Sequence, residues 1–220
     1  MERALPPSPD MNYPAKDRYL DPKDVASYEN DRYGGWLGRH RWRREQRGVG
    51  ALIRSLPHDL TVLDAPCGNG RWWPRLAERA SGITAVDVSE AMRAAAERRR
   101  SDVDVPVTVQ HGDAEALPFD DGSFDVVFSH ALTKHLPLPV QQAVLNEFAR
   151  VSGRWVLSSF SVVTPLTYGI FRLRRIGRGN LLLPEQLEVL AEVAGLEVVD
   201  SRRCGTVLGV ERSVLFRKLS

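Results

Sequence analysis

The chain has 220 residues, enough for one domain with a sheet buried on both faces. Its 43% hydrophobic and 26% charged residues describe a soluble globular composition, and a net charge of +2 gives no global field of the kind that marks nucleic-acid or membrane binders. Two cysteines, Cys67 and Cys204, lack CxxC spacing and histidine partners, which argues against a disulfide scaffold or a zinc site and suits the cytoplasm.

No apolar run approaches the ~18 residues of a membrane span. The start, Met1-Glu2-Arg3 and then prolines, has no apolar core of a secretory signal, so none is expected. Residues 1–20 read as a flexible arm. Asp21-Pro22 supplies an N-cap and a proline at the first helical position, which predicts a helix through Tyr28 toward Tyr33. Gly34-Gly35 breaks it, and a second helix is predicted over 36–55. From Leu60 strands and helices alternate. Strand 61–65 contains Asp64 and leads to a helix over 70–80. A second strand ends in Asp87, and Ser89 caps a helix holding Met92. Strands follow at 105–110 and 124–129, then a helix at 139–151 and a strand at 155–160. Pro184 opens a helix closed by Gly195, and β-rich runs cover 196–203 and 207–217. This alternation predicts a mostly parallel sheet with right-handed crossovers and covered faces. Segment 161–182 is too long for a simple connection and reads as an insertion with a task.

The strongest motif is the strand-to-turn run Val62-Leu63-Asp64-Ala65-Pro66-Cys67-Gly68-Asn69-Gly70-Arg71. Glycines in such a turn let a ligand approach the backbone closely. A dinucleotide-binding turn is the competing reading. Its third glycine would fall at Trp73, and Asp64 would face a pyrophosphate of like charge. A cationic ligand reverses that sign, and S-adenosylmethionine carries both a sulfonium and an ammonium. Asp87 is placed to accept from both ribose hydroxyls. Asp113 could accept from an adenine amino group, with the Ala114 N–H donating to the ring. Three acids at three successive strand ends, beside one glycine turn, outweigh the bland reading of each acid alone.

These residues, with Val86-Asp87-Val88-Ser89, Gly112-Asp113-Ala114-Glu115-Ala116-Leu117-Pro118-Phe119 and Phe124-Asp125-Val126-Val127, resemble the class I S-adenosylmethionine-dependent methyltransferases. Within that class they are similar to the branch of ubiquinone and menaquinone biosynthesis methyltransferases, closely over residues 60–160. The resemblance implies an α/β fold: a Rossmann-like, seven-stranded, mostly parallel sheet with helices on both faces. A helical N-terminal lid over 21–56 would precede the methyltransferase domain at 57–220. It also implies cofactor contacts at Asp64, Gly68, Gly70, Asp87, Asp113, Ala114 and Ser129, with Tyr28 closing over the site. Ala65, Pro66, Asn69 and Arg71 of the turn, and Val88 and Met92 beside Asp87, complete the expected set. Pro66 stands where the family usually has its first glycine; this departure is expected to tune affinity. Cys67 reads as a packing residue.

Methyl transfer from a sulfonium needs positioning, and a base only where the acceptor must lose a proton. Ser129-His130-Ala131-Leu132 lacks the Asn/Asp-Pro-Pro-aromatic signature of adenine amino methylation, and neither cysteine is placed for cytosine C5 chemistry. Thr133-Lys134-His135 has no acid beside its histidine, so no metal is expected. His130 and His135 are the candidate bases, each with a structural alternative. Two basic-aromatic stretches, residues 39–47 and 172–178, are either solvated faces or carriers of acceptor specificity. The expected partner is a small-molecule acceptor, quinone-like, phenolic or lipid-like, with no integral membrane association. A tRNA substrate is the alternative, and a non-catalytic cofactor-binding subunit a third reading.

Overall fold

The computed structural model describes residues 34–174, 180–204 and 210–219, so the helix predicted around Tyr28 lies outside the described residues. Its first element, α1 (Gly35–Arg54), follows Gly34 in extended conformation. Val49, Leu52 and Ile53 recur at helical spacing and are buried, so the second half of α1 belongs to the core. Then come β1 (Leu60–Asp64), α2 (Trp73–Leu76), β2 (Ala80–Asp87), α3 (Glu90–Glu97) and β3 (Val107–His111). The helix expected over 70–80 is a single turn, because β1 already pairs Leu60 with Ala80 and the ladder claims the residues after it. β3 starts two residues later than expected: Pro106 has no N–H for a ladder and contributes only its carbonyl, to Ile83 N.

The second half holds β4 (Phe124–Ser129), α4 (Leu138–Val151), β5 (Ser152–Ser161), α5 (Pro165–Arg174), α6 (Pro184–Val193), β6 (Leu196–Arg203) and β7 (Glu211–Lys218). Helix α5 occupies the predicted insertion. The seven strands order as β3-β2-β1-β4-β5-β7-β6, with β7 antiparallel to both of its neighbours and the other pairings parallel.

Strand alternation divides the apolar side chains between two cores. Leu63, Val127 and Val156 face α4 and α6 on one side, while Val62, Phe128 and Leu157 face α1 and α2 on the other. Asp125 pins β4 to β1 at the amino ends: its carboxylate accepts from the Thr61 N–H at 2.8 Å, and its own N–H donates to Thr61 Oγ1. That acid of the Phe124–Val127 motif is therefore architectural. Strand order reverses between β1 and β4, which opens a crevice at their carboxyl ends. Every strand-end residue singled out from the sequence lies along this edge.

Candidate cofactor and acceptor site

The glycine turn is built from the end of β1. Ala65 N–H still donates to Phe128 O, the Ala65–Pro66 peptide is cis, and Cys67 N–H donates to Val86 O at 2.8 Å. Gly68 and Gly70 take φ of +53° and +74°, the left-handed region that favours glycine. Trp73, at the position a dinucleotide turn gives to glycine, is fully buried. Its indole Nε1 donates to Asp64 Oδ2 at 3.0 Å. Burial pushes the Asp64 carboxyl well above the usual range; the Trp73 bond opposes this and Asp87 adds to it.

Asp87 closes the neighbouring strand. One of its oxygens accepts from Gly68 N–H and the other from Ser89 N–H, both at 2.9 Å. Burial raises this carboxyl too, against those two N–H groups and the charges of Arg93 and His111. Arg93 donates to the carbonyls of Asp87 and Val88. Sequence reasoning passed over this arginine, whose signal was its place one turn past the Ser89 cap. Ser89 Oγ accepts from Met92 N–H, which buries Met92 under the loop. Asp113 Oδ1 accepts from Glu115 N–H, and Ala114 is buried beside it. Asn69 and Ser129 are buried, and the Ser129 hydroxyl has no hydrogen-bond partner among the described residues. The Arg71 guanidinium lies 3.7 Å from the Trp42 ring centre. Cys67 is buried, and burial, then Asp64 and Asp87, push its thiol up, which makes it inert packing.

The turn thus carries two buried carboxylates that favour protonation, beside backbone open to a ligand. Both acids have folded-state pKa values above their ordinary ones, so their contribution to stability is present below the ordinary carboxylate range of about 4 and is lost as pH rises through the raised values. Cofactor-free protein should therefore gain stability from this pair as pH is lowered through the interval of the raised values, while its affinity for a cation weakens. Thermal melts and calorimetry at stepped pH check this; an unliganded melting temperature falling steadily over that interval would contradict it.

The two candidate bases part company. His135 is exposed, in the 3-10 turn Thr133–His135. The His130 side chain is 5% exposed and sits edge-on to Trp72, with ring centres 4.9 Å apart. Its Nε2 lies 3.7 Å from Glu45 Oε2 and 3.8 Å from Glu211 Oε1. Lys134 Nζ is 2.8 Å from Glu211 Oε1, and Arg41 Nε is 3.7 Å from Glu45 Oε1. The acids missing beside His135 in the chain thus arrive around His130 from α1 and β7. Sequence reasoning missed both. The signal for Glu45 was its phase with Val49 and Leu52 on the buried stripe of α1. Glu211 alternates in phase with Ser213 and Leu215, on an inward face of β7. Antiparallel pairing with β5 brings Glu211 beside Ser161 at the carboxyl edge. After His130, Ala131 has φ of +69°, held by its N–H to Ser159 Oγ at 2.7 Å; a non-glycine residue there costs about 1–2 kcal/mol.

Between α1 and α2 lies a cleft of about 520 Å³, lined by Trp42, Arg43, Gln46, Arg47, Arg71 and Arg75 among others. It concentrates the first basic-aromatic stretch on one surface. Among the described residues no helix is long and apolar enough to cross a membrane.

Comparison with known proteins identifies relatives of the chain. Residues 62–153 match the methyltransferase-domain family. The chain is 31% identical over 209 residues to 27-O-demethylrifamycin SV methyltransferase of Amycolatopsis mediterranei, covering 87% of this chain and 75% of the relative. It is 33% identical over 192 residues to demethylmenaquinone methyltransferase of Mycobacterium bovis, covering 78% and 76%. Among solved structures, magnesium protoporphyrin IX methyltransferase from Synechocystis PCC 6803 with bound SAH superposes with a TM-score of 0.75 at 17% identity, covering 93% of this chain and 98% of that one.

Proposed function

Because this chain belongs to the S-adenosylmethionine-dependent methyltransferases, we propose that it moves the sulfonium methyl to a small-molecule acceptor, quinone-like, phenolic or lipid-like, without a metal ion. The observation that carries the reading is the pair Asp64 and Asp87, buried side by side at the glycine turn, where burial raises both carboxyls and a cation would offset that cost. S-adenosylmethionine supplies the positive charge and the activated methyl; the chain binds, orients and excludes water. Asp64 and its Trp73 brace suit the methionine end, Asp87 the ribose, and Asp113 with Ala114 the adenine. The remaining turn and loop residues shape the pocket around them. The names of the rifamycin and menaquinone relatives support a small acceptor. The N-terminal segment 21–56, including Tyr28, and segment 161–182 are read as its cover, and the cytoplasm as its place of work.

The arginine-lined cleft beside Trp42 favours one second reading, a tRNA substrate, since arginine and aromatic faces suit phosphate and base. Release of S-adenosylhomocysteine decides. Full-length protein should turn over at least one of a panel of quinol, phenol and lipid acceptors, unaffected by chelator, and protein lacking residues 1–33 should bind cofactor without turnover. Turnover only of tRNA, with binding that weakens steeply with salt, would replace the small-molecule reading. Restoration of chelated enzyme by magnesium would remove metal independence.

A further inference from the structure

His130 occupies an arrangement that methyl transfer does not need for cofactor binding. One ring nitrogen, Nε2, is sequestered within 4 Å of two buried carboxylates and has no hydrogen bond. The other, Nδ1, makes no hydrogen bond among the described residues, and the side chain keeps a 5% exposure. The ring plane is set by Trp72 and by Phe128, whose ring is stacked at 6.4 Å. The strained Ala131 and the Ser159 bond fix the backbone that presents it.

Two carboxylates facing one ring nitrogen attract an N–H and repel a lone pair. We propose that Glu45 and Glu211 are positioning residues that hold the His130 proton on Nε2, leaving Nδ1 to take the proton of an acceptor hydroxyl as it is methylated. This rests on the methyltransferase reading and names the acceptor class. An oxygen lone pair forms the O–CH3 bond while the S–CH3 bond breaks, its electron pair staying on sulfur to give S-adenosylhomocysteine. The O–H proton moves to Nδ1 and leaves to solvent after the product departs. Positive charge disappears from sulfur as it appears on the imidazole, so the local net charge is unchanged. Distances of 3.7 and 3.8 Å are longer than hydrogen bonds, as catalytic contacts commonly are before substrate arrives.

The same three residues could hold a divalent cation, since their ligand atoms lie within 4.8 Å of one another. Charge balance favours the proton. Lys134 and Arg41 already face the two carboxylates, and a divalent ion would add two positive charges beside these cations.

Long-range proton–nitrogen spectra of protein labelled with 15N-histidine test this without an acceptor. With His130 assigned by its loss in His130→Gln, wild-type protein at pH 8 should show Nε2 protonated and Nδ1 bare. Glu45→Gln and Glu211→Gln should each give mixed tautomers. A proton on Nδ1, or His130 signals that move with zinc, manganese or a chelator, overturns the proposal, the latter in favour of a metal centre. With 1,4-naphthohydroquinone, 1-naphthylamine and 1-naphthalenethiol as matched probes, turnover should be fastest on the quinol. It should fall on the order of 100-fold in His130→Gln, in kcat rather than KM. Conversion of the amine or thiol alone, or of none by protein that binds S-adenosylhomocysteine, overturns the hydroxyl acceptor. Failure of wild-type protein to bind S-adenosylhomocysteine would instead remove the methyltransferase reading.

Discussion

Asp64→Asn should weaken S-adenosylmethionine binding by about 2–3 kcal/mol, roughly 30- to 150-fold, while raising the melting temperature of the cofactor-free protein. Opposite signs follow from one cause. The carboxylate is buried beside Asp87, so its charge opposes folding while no cation is present and favours binding when one arrives. The carboxamide keeps the oxygen that accepts from Trp73 Nε1, so the turn keeps its brace. Each kcal/mol of relieved desolvation should add about 2–4 °C. Calorimetry with S-adenosylmethionine and melts of the unliganded protein read the two effects separately. Unchanged affinity would remove Asp64 from the site, and a lowered melting temperature would show that its charge is already compensated without ligand.

The second large effect separates two glycines that share a backbone region. Gly70→Ala should cost about 2–4 kcal/mol of stability, the sum of a left-handed alanine and a packing conflict. A Cβ there would lie 2.9 Å from the Trp73 ring, which is fully buried and has no room to yield. Displacing that indole would also loosen its bond to Asp64. Gly68→Ala meets nothing within 4 Å, so its stability cost should stay near the backbone term of about 1 kcal/mol. Its methyl enters the open space by which a ligand reaches the turn, so affinity should suffer more than stability. Melts and calorimetry on the two variants should therefore rank them in opposite order. The same ranking by both measurements would mean that the open space at Gly68 is not where the cofactor approaches.

What the sequence determined by itself was the sheet and the acids along it. The Ser89 cap and the helix stop at Gly195 are local effects, each set by a few neighbouring residues. Asp64, Asp87 and Asp113 were legible because each ends or follows a strand, and parallel strands in such a fold end along one edge. The length of α2 was not legible, because pairing of Ala80 with Leu60 overrode the helical pattern of residues 77–80. Nor was the place of Trp73, which in sequence only spoiled a glycine motif and in space donates to the buried Asp64 carboxylate. The environment of His130 was beyond any local reading. Glu45 lies 85 positions before it and Glu211 lies 81 after it, as their numbers in the chain give. Only the packing of α1 beneath the sheet and the antiparallel return of β7 bring those carboxylates within 4 Å of one imidazole nitrogen. Patterns of burial follow from spacing along the chain, whereas the electrostatics of a buried side chain depend on whatever the fold carries to it from elsewhere.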